Sequence, residues 1–157
     1  MSAPDDIAGV IAPPPLLYAG ALAVGLSLDF LFLRSGTDVP VPLRYGLAAL
    51  LGATAAALLV GASRRFRRAG TTAKPWRPTT AIVTDGVYAW TRNPMYLAMT
   101  LAYTAIAVAA DSVTTLVLVV PLAIVVQFGV ILREERYLEG KFGNAYRDYR
   151  RTVRRWI

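Results

Sequence analysis

MYLAMTLAYTAIAVAADSVTTLVLVVPLAIVVQFGVIL, residues 95–132, carries a single charged side chain, Asp111. Asp111 divides the stretch into two apolar runs, Met95 to Ala110 and Ser112 to Leu132. As α-helices these would be roughly 24 and 32 Å long, close to the thickness of a bilayer's hydrocarbon core. A one-residue separation predicts a tight helical hairpin, with Asp111 capping the second helix and Pro121 bending it.

The same pattern recurs upstream. Leu16 to Leu33 is apolar except for Asp29, and Leu43 to Ser63 is interrupted only by Arg44. Pro40 and Pro42 mark the loop between them. The expected fold is therefore all-α, a polytopic membrane protein with four transmembrane helices. Composition agrees: 55% of residues are hydrophobic and 17% charged, against about 25% charged in soluble domains. The 157 residues fit one domain, with its cofactor-binding part in residues 80–157.

Seventeen Lys and Arg against ten acids give a net charge of +7. Arg34 and Arg44 lie in the first connection and the hairpin has no basic residue. All other cations fall in Arg64 to Arg68, in the polar segment Ala69 to Pro94, or after Leu132. By the positive-inside rule both termini and the middle segment face the cytoplasm. The arginine clusters sit beside apolar runs, which favours anionic lipid over nucleic acid. Met1 to Pro15 lacks the basic start of a secretory signal and reads as part of the mature protein. Alanine- and arginine-rich usage fits a prokaryotic cytoplasmic membrane.

Cys and His are both absent. That excludes disulfides, thiolate nucleophiles, zinc–thiolate sites and a Ser-His-Asp triad, and it leaves no expected metal. Chemistry in such a chain falls to a bound group that already carries the reactive function.

Two segments have the residues for it. Thr80 to Tyr96 leads into the third helix, with Pro94 at a first-turn position and Arg92 and Asn93 as donors beside it. Glu134-Glu135 closes the fourth helix. Gln127, Val130, Ile131, Glu134 and Leu138 share a helical face, so Glu134 is expected to point inward and Glu135 towards water or Arg136. A donor-rich helix start facing a carboxylate suits a zwitterion. Beyond this pair, Leu138, Phe142, Tyr146, Tyr149 and Val153 recur at spacings of three and four. They predict a C-terminal amphipathic helix with arginines on its other face, bent near Gly140 and Gly143. Asp29 is expected to pair with Arg34 or to snorkel. By itself Thr80 to Tyr96 would read as an interfacial loop anchored by Trp76 and Trp90.

The run Thr84-Asp-Gly-Val-Tyr-Ala-Trp-Thr-Arg-Asn-Pro-Met-Tyr96 resembles a motif of the isoprenylcysteine carboxyl methyltransferase and phospholipid methyltransferase superfamily, Gly-x-Tyr followed by Arg-His-Pro-x-Tyr. Glu134-Glu135-Arg-Tyr-Leu-Glu-Gly-Lys-Phe-Gly-Asn-Ala-Tyr-Arg-Asp-Tyr149 resembles its second, a Glu-Glu pair followed by Phe-Gly-x-x-Tyr-x-x-Tyr. Two ordered motifs around a helical hairpin are specific where either alone is not. The resemblance covers Thr80 to Ile157. It implies S-adenosylmethionine bound in a cytoplasmic connection. Thr80, Ala81, Ile82, Val83 and Tyr88 would lie at the nucleoside end. Asn93, Pro94, Met95, Tyr96 and Glu134 would hold the ribose or amino-acid end, with Gly86 and Arg92 belonging to the same site. Tyr88 or Tyr96 would face the sulfonium.

Two departures narrow the acceptor. Asn93 replaces the motif histidine and cannot change charge. Val130 stands where prenylcysteine-methylating members have a substrate-contacting arginine, so a prenylcysteine carboxylate would lack its counter-charge. The expected acceptor is a phospholipid amine or a small lipophilic thiol or acid entering from the membrane, with Glu135 or Tyr137 as catalytic base. The competing functions are a membrane reductase using NADPH, a small four-helix transporter, and a non-catalytic adaptor.

Overall fold

A computed structural model of the protein describes residues 7–33, 36–72 and 77–157. Within these it is built from helices and connections, without strands. Three helices are long and apolar enough to cross a membrane: α1 (Pro14–Leu33), α2 (Val41–Arg68) and α4 (Val113–Phe142). Between the last two stands α3 (Pro94–Ala109), apolar but only 16 residues long. The short helix α5 (Asn144–Thr152) follows Gly143, whose φ of +55° breaks the chain's course after α4.

Prolines start the first three helices, where a missing N–H costs nothing and the fixed φ is already helical. Helix α2 ends in Arg65, Arg67 and Arg68, which complement the negative end of its dipole. It buries Ala48, Ala55 and Ala62, one every two turns, and α3 buries Ala98 and Ala105 at the same spacing. Small side chains let these two helices lie close along their length.

Gly25 does the same where α1 crosses α4. A Cβ there would stand 2.8 Å from Thr115 Oγ1 and 3.0 Å from the Thr115 Cα. Backbone cannot yield as a side-chain tip can. Gly25→Val is therefore expected to cost about 1–3 kcal/mol, seen as a lower unfolding midpoint in detergent.

The hairpin turn differs from the sequence expectation. Asp111 does not cap α4; Ser112 does, its Oγ accepting from the Thr115 N–H at 3.1 Å. With so few linking residues Asp111 is forced to a left-handed φ of +57°, which turns its carboxylate towards the first connection. There it accepts from the Thr37 N–H (3.0 Å) and hydroxyl (2.5 Å) and pairs with Arg44 at 2.6 Å. The Thr37 hydrogen bonds, helped by Arg44, hold its carboxyl below the ordinary carboxylate range. A depressed folded value means stability present above the ordinary pKa of about 4 and lost as pH falls further. Asp111→Asn should flatten that acid limb of a stability–pH profile. Asp29, at the same end, accepts from the Thr114 hydroxyl at 3.1 Å. Arg34, its expected partner, lies outside the described residues, as does Trp76.

Helix α4 is irregular in two places. Its first segments, Val113–Val117 and Val119–Val126, are broken at Leu118, because Pro121 cannot donate to the turn before it. Gln127–Ile131 is then π-helical, which inserts a residue and frees a carbonyl. The Ile11 N–H takes the Gly129 carbonyl at 3.2 Å, and Gly129 leaves room for the Ile11 side chain. The start of α1, the ends of α2 and α4, and the start of α3 thus meet at one end of the bundle.

Candidate active site

A cavity of about 510 Å³ opens at that end, between the 77–93 connection, the last turns of α4 and α5. Of the residues singled out from the sequence, Ala81, Ile82, Val83, Tyr88, Arg92, Asn93, Met95, Tyr96, Glu134, Glu135 and Tyr137 line it. Three do not. Thr80 is exposed, its N–H donating to Thr71 Oγ1. Gly86 turns the chain at φ +61° against the Arg65 guanidinium, which is paired with Asp85. Pro94 is buried inside the first turn of α3.

Glu134 reaches the cavity from α4 and accepts from the Tyr96 hydroxyl at 2.7 Å. Tyr96 is fixed in turn from behind: the Tyr18 hydroxyl donates to the Tyr96 carbonyl at 3.3 Å and meets Thr100 Oγ1 at 2.8 Å. Tyr88 is held by its carbonyl, which accepts from the Tyr149 hydroxyl at 2.7 Å, and by the edge of Phe66 at 5.4 Å. Burial, then the neighbouring Tyr149 and Glu134, push the Tyr88 hydroxyl far above its ordinary pKa, so it stays neutral. The Tyr137 hydroxyl accepts from the Thr79 N–H and the Lys141 ammonium, each at 3.1 Å.

Glu135 corrects the sequence reading. Instead of facing water or Arg136 it is buried, only 6% exposed. Arg155 grips it with two parallel hydrogen bonds, Nε to Oε1 at 2.9 Å and Nη2 to Oε2 at 2.8 Å. Arg92 Nη2 adds a third contact to Oε1 at 3.2 Å. Arg155 and Arg92 account for this, because the segment after α5 and the 77–93 connection close over the side of α4 that carries Glu135. The hydrogen bonds to Glu135 raise the Arg155 guanidinium's pKa further. Tyr146, beside this cluster, is pushed up to about 12 by burial and then by Glu135, against the opposing pull of the Arg92 guanidinium next to its hydroxyl.

Arg92 carries unused capacity even with the Tyr146 hydroxyl beside its guanidinium. It is 8% exposed and lines the cavity, yet its Nε and Nη1 have no hydrogen-bond partner among the described residues. Buried donors are otherwise nearly always satisfied, and each left alone costs roughly 1–3 kcal/mol.

Sequence reasoning did not find the contribution of residues 153–157. The Arg155 carbonyl accepts from Thr91 Oγ1 (3.1 Å) and Asn93 Nδ2 (2.9 Å), and the Arg154 carbonyl from the Arg92 N–H (2.9 Å). Trp156 Nε1 donates to Gln127 Oε1 at 3.0 Å. Asn93 therefore ties this segment to the start of α3. A polar glutamine within an apolar run was the only visible signal that something must reach it. Tyr146 and Tyr149 of α5 are buried in the cavity wall.

Among the described residues, the architecture is all-helical, with three helices long and apolar enough to cross a membrane and, at one end of the bundle, a mostly apolar, aromatic-lined pocket into which a few charged side chains project. The phospholipid methyltransferase family matches residues 43–145, from α2 to the first turn of α5, and the chain belongs to that family. A 27-residue stretch is 63% identical to part of an uncharacterized protein of Haemophilus influenzae. That match covers 17% of this chain and 43%, less than half, of the relative. No solved structure matches the chain.

Proposed function

We propose that this family member transfers a methyl group from S-adenosylmethionine to a lipophilic acceptor, a phospholipid amine or a small lipophilic thiol or acid. The observation that carries the reading is the pairing, across one cavity, of two unpartnered Arg92 donors with the Glu134 carboxylate. The residues fit the donor's chemistry. Arg92 can take a carboxylate and Glu134 an ammonium or ribose hydroxyls. Ala81, Ile82 and Val83 with Phe66 offer an apolar surface for a nucleobase, and Tyr88 and Tyr96 offer electron-rich rings to a cation. The volume lies within the range of small-molecule pockets.

When bound, the sulfonium supplies a methyl already activated for displacement. The protein's share is alignment and exclusion of water. Tyr18 and Glu134 hold Tyr96 from two sides. Met95, Met99 and Leu138 give the cavity its apolar wall, suited to a lipophilic acceptor. Glu135 has both oxygens engaged by guanidinium groups, so we assign it to positioning. Tyr137 is then the side chain assigned to take the acceptor's proton, acting as a phenolate whose oxygen is in contact with the Thr79 N–H and the Lys141 ammonium. Tyr137→Phe should lower kcat about 10²- to 10⁴-fold with donor affinity unchanged, measured by single-turnover methyl transfer.

We read α3 as a fourth span, packed along α2, with the cavity at the cytoplasmic face of a prokaryotic membrane. We also read the whole chain as one domain, with α5 lying at that face. The decisive experiment is incubation of the detergent-purified protein with methyl-labelled donor and a total lipid extract. Label should enter a lipid fraction in the wild type and not in Glu134→Ala. Absence of label in every fraction, with the donor bound, would count against this acceptor class.

A further inference from the structure

Arg155 does not line the cavity, lies outside the residues matched by the family, and has no place in the mechanism above. Its position beside Arg92 nevertheless decides what Arg92 can bind. Both guanidinium groups face a single carboxylate, Glu135. Arg155 holds it in the bidentate geometry at 2.8 and 2.9 Å, the strongest arrangement for this pair of groups. Arg92 is left with one longer contact of 3.2 Å to Glu135 and with the Tyr146 hydroxyl beside it, while its buried Nε and Nη1 have no hydrogen-bond partner among the described residues. The three side chains carry a net charge of +1, in a place where an unbalanced charge is costly.

We infer that Arg155 is a positioning residue: by occupying Glu135 it keeps Arg92 from collapsing onto that carboxylate and so holds the Arg92 fork open for the carboxylate of the methyl donor. The inference rests on the proposed function. Without Arg155 the triad becomes a neutral pair. Arg92 then satisfies its free donors on Glu135, and the site loses both its excess positive charge and its open fork. The backbone around Arg155 keeps it in register, because its carbonyl is held by Thr91 and Asn93 and the adjacent Trp156 is tied to Gln127. A residue outside the cavity thus sets the preference of a residue inside it.

Dissociation constants of S-adenosylmethionine and of its decarboxylated analogue, which keeps the sulfonium and nucleoside, separate this from a loss of structure. The full-length wild type should bind the carboxylated ligand at least tenfold more tightly. In Arg155→Ala that preference should fall to about twofold or less, while affinity for the analogue stays within twofold of wild type. Should Arg155→Ala fail to fold, Arg155→Lys keeps the charge but trades two parallel contacts for one, and should lower the preference two- to threefold. A preference unchanged in the variant that folds, or equal weakening of both ligands, overturns the role of Arg155. Equal affinities in the wild type remove the carboxylate subsite itself. If the wild type binds neither ligand, the proposed function fails, and this inference fails with it.

Discussion

Replacing Glu134 by alanine is expected to erase stabilisation of the purified protein by S-adenosylmethionine, while Asp29→Asn leaves it intact. Both are acids on apolar helices, but they differ in place and in partners. Glu134 lines the cavity and accepts from Tyr96 at 2.7 Å, so its loss removes a charged acceptor from the site and frees the Tyr96 ring as well. A hydrogen bond to a charged group contributes about 1.5–3 kcal/mol, which corresponds to roughly 10- to 150-fold in affinity. Asp29 sits with Thr114 at the opposite end of the bundle. Thermal shift against donor concentration reads both variants. Equal loss in the two would mean that the acids act through stability alone, and retention in Glu134→Ala would move the donor elsewhere.

Glu135→Ala should produce the largest loss of stability among single substitutions at the site. It leaves two guanidinium groups facing each other with no counter-charge, one of them only 8% exposed. Breaking a buried pair from one side costs about 3–5 kcal/mol. Because Arg155 is about one-third exposed and partly screened by water, the lower end of that range is expected. Residues 153–157 should also detach, since Arg155 would lose its side-chain anchor while only backbone contacts and Trp156 remain. Limited proteolysis of the intact chain should then cut there first, before the rest of the molecule unfolds. A variant as stable as wild type, with that segment still protected, would show that the cluster is energetically neutral.

Much of this architecture was legible because long apolar runs leave few alternatives to helix, although only α1, α2 and α4 are long enough to cross a membrane and α3 has 16 residues. The four runs correspond to α1 to α4, and the two motif segments meet at one cavity. What escaped the sequence reading depended on single backbone choices. Asp111 looked like a cap by residue type, but the three-residue link Ala110–Ser112 needed a left-handed residue at Asp111 and passed the capping to Ser112. Glu135 looked solvated because nothing in its own helix shows that Arg155 and Arg92, from other segments, close over it. The π-helical turn at Gln127–Ile131 has no sequence signature that strand or helix periodicity can detect. Arg155 read as one of many arginines on a polar face. Its partner is twenty residues away on another helix, and the break at Gly143 that brings the two together could be placed but not aimed.

The most direct measurement is calorimetric titration of the detergent-purified chain with S-adenosylhomocysteine, the demethylated donor, and separately with NADPH. One saturable site per chain for the former, abolished in Glu134→Ala, and no heat with the nicotinamide are the expected results. Saturable binding of NADPH with none of the nucleoside thioether would contradict a methyl-donor pocket and assign the cavity to hydride chemistry.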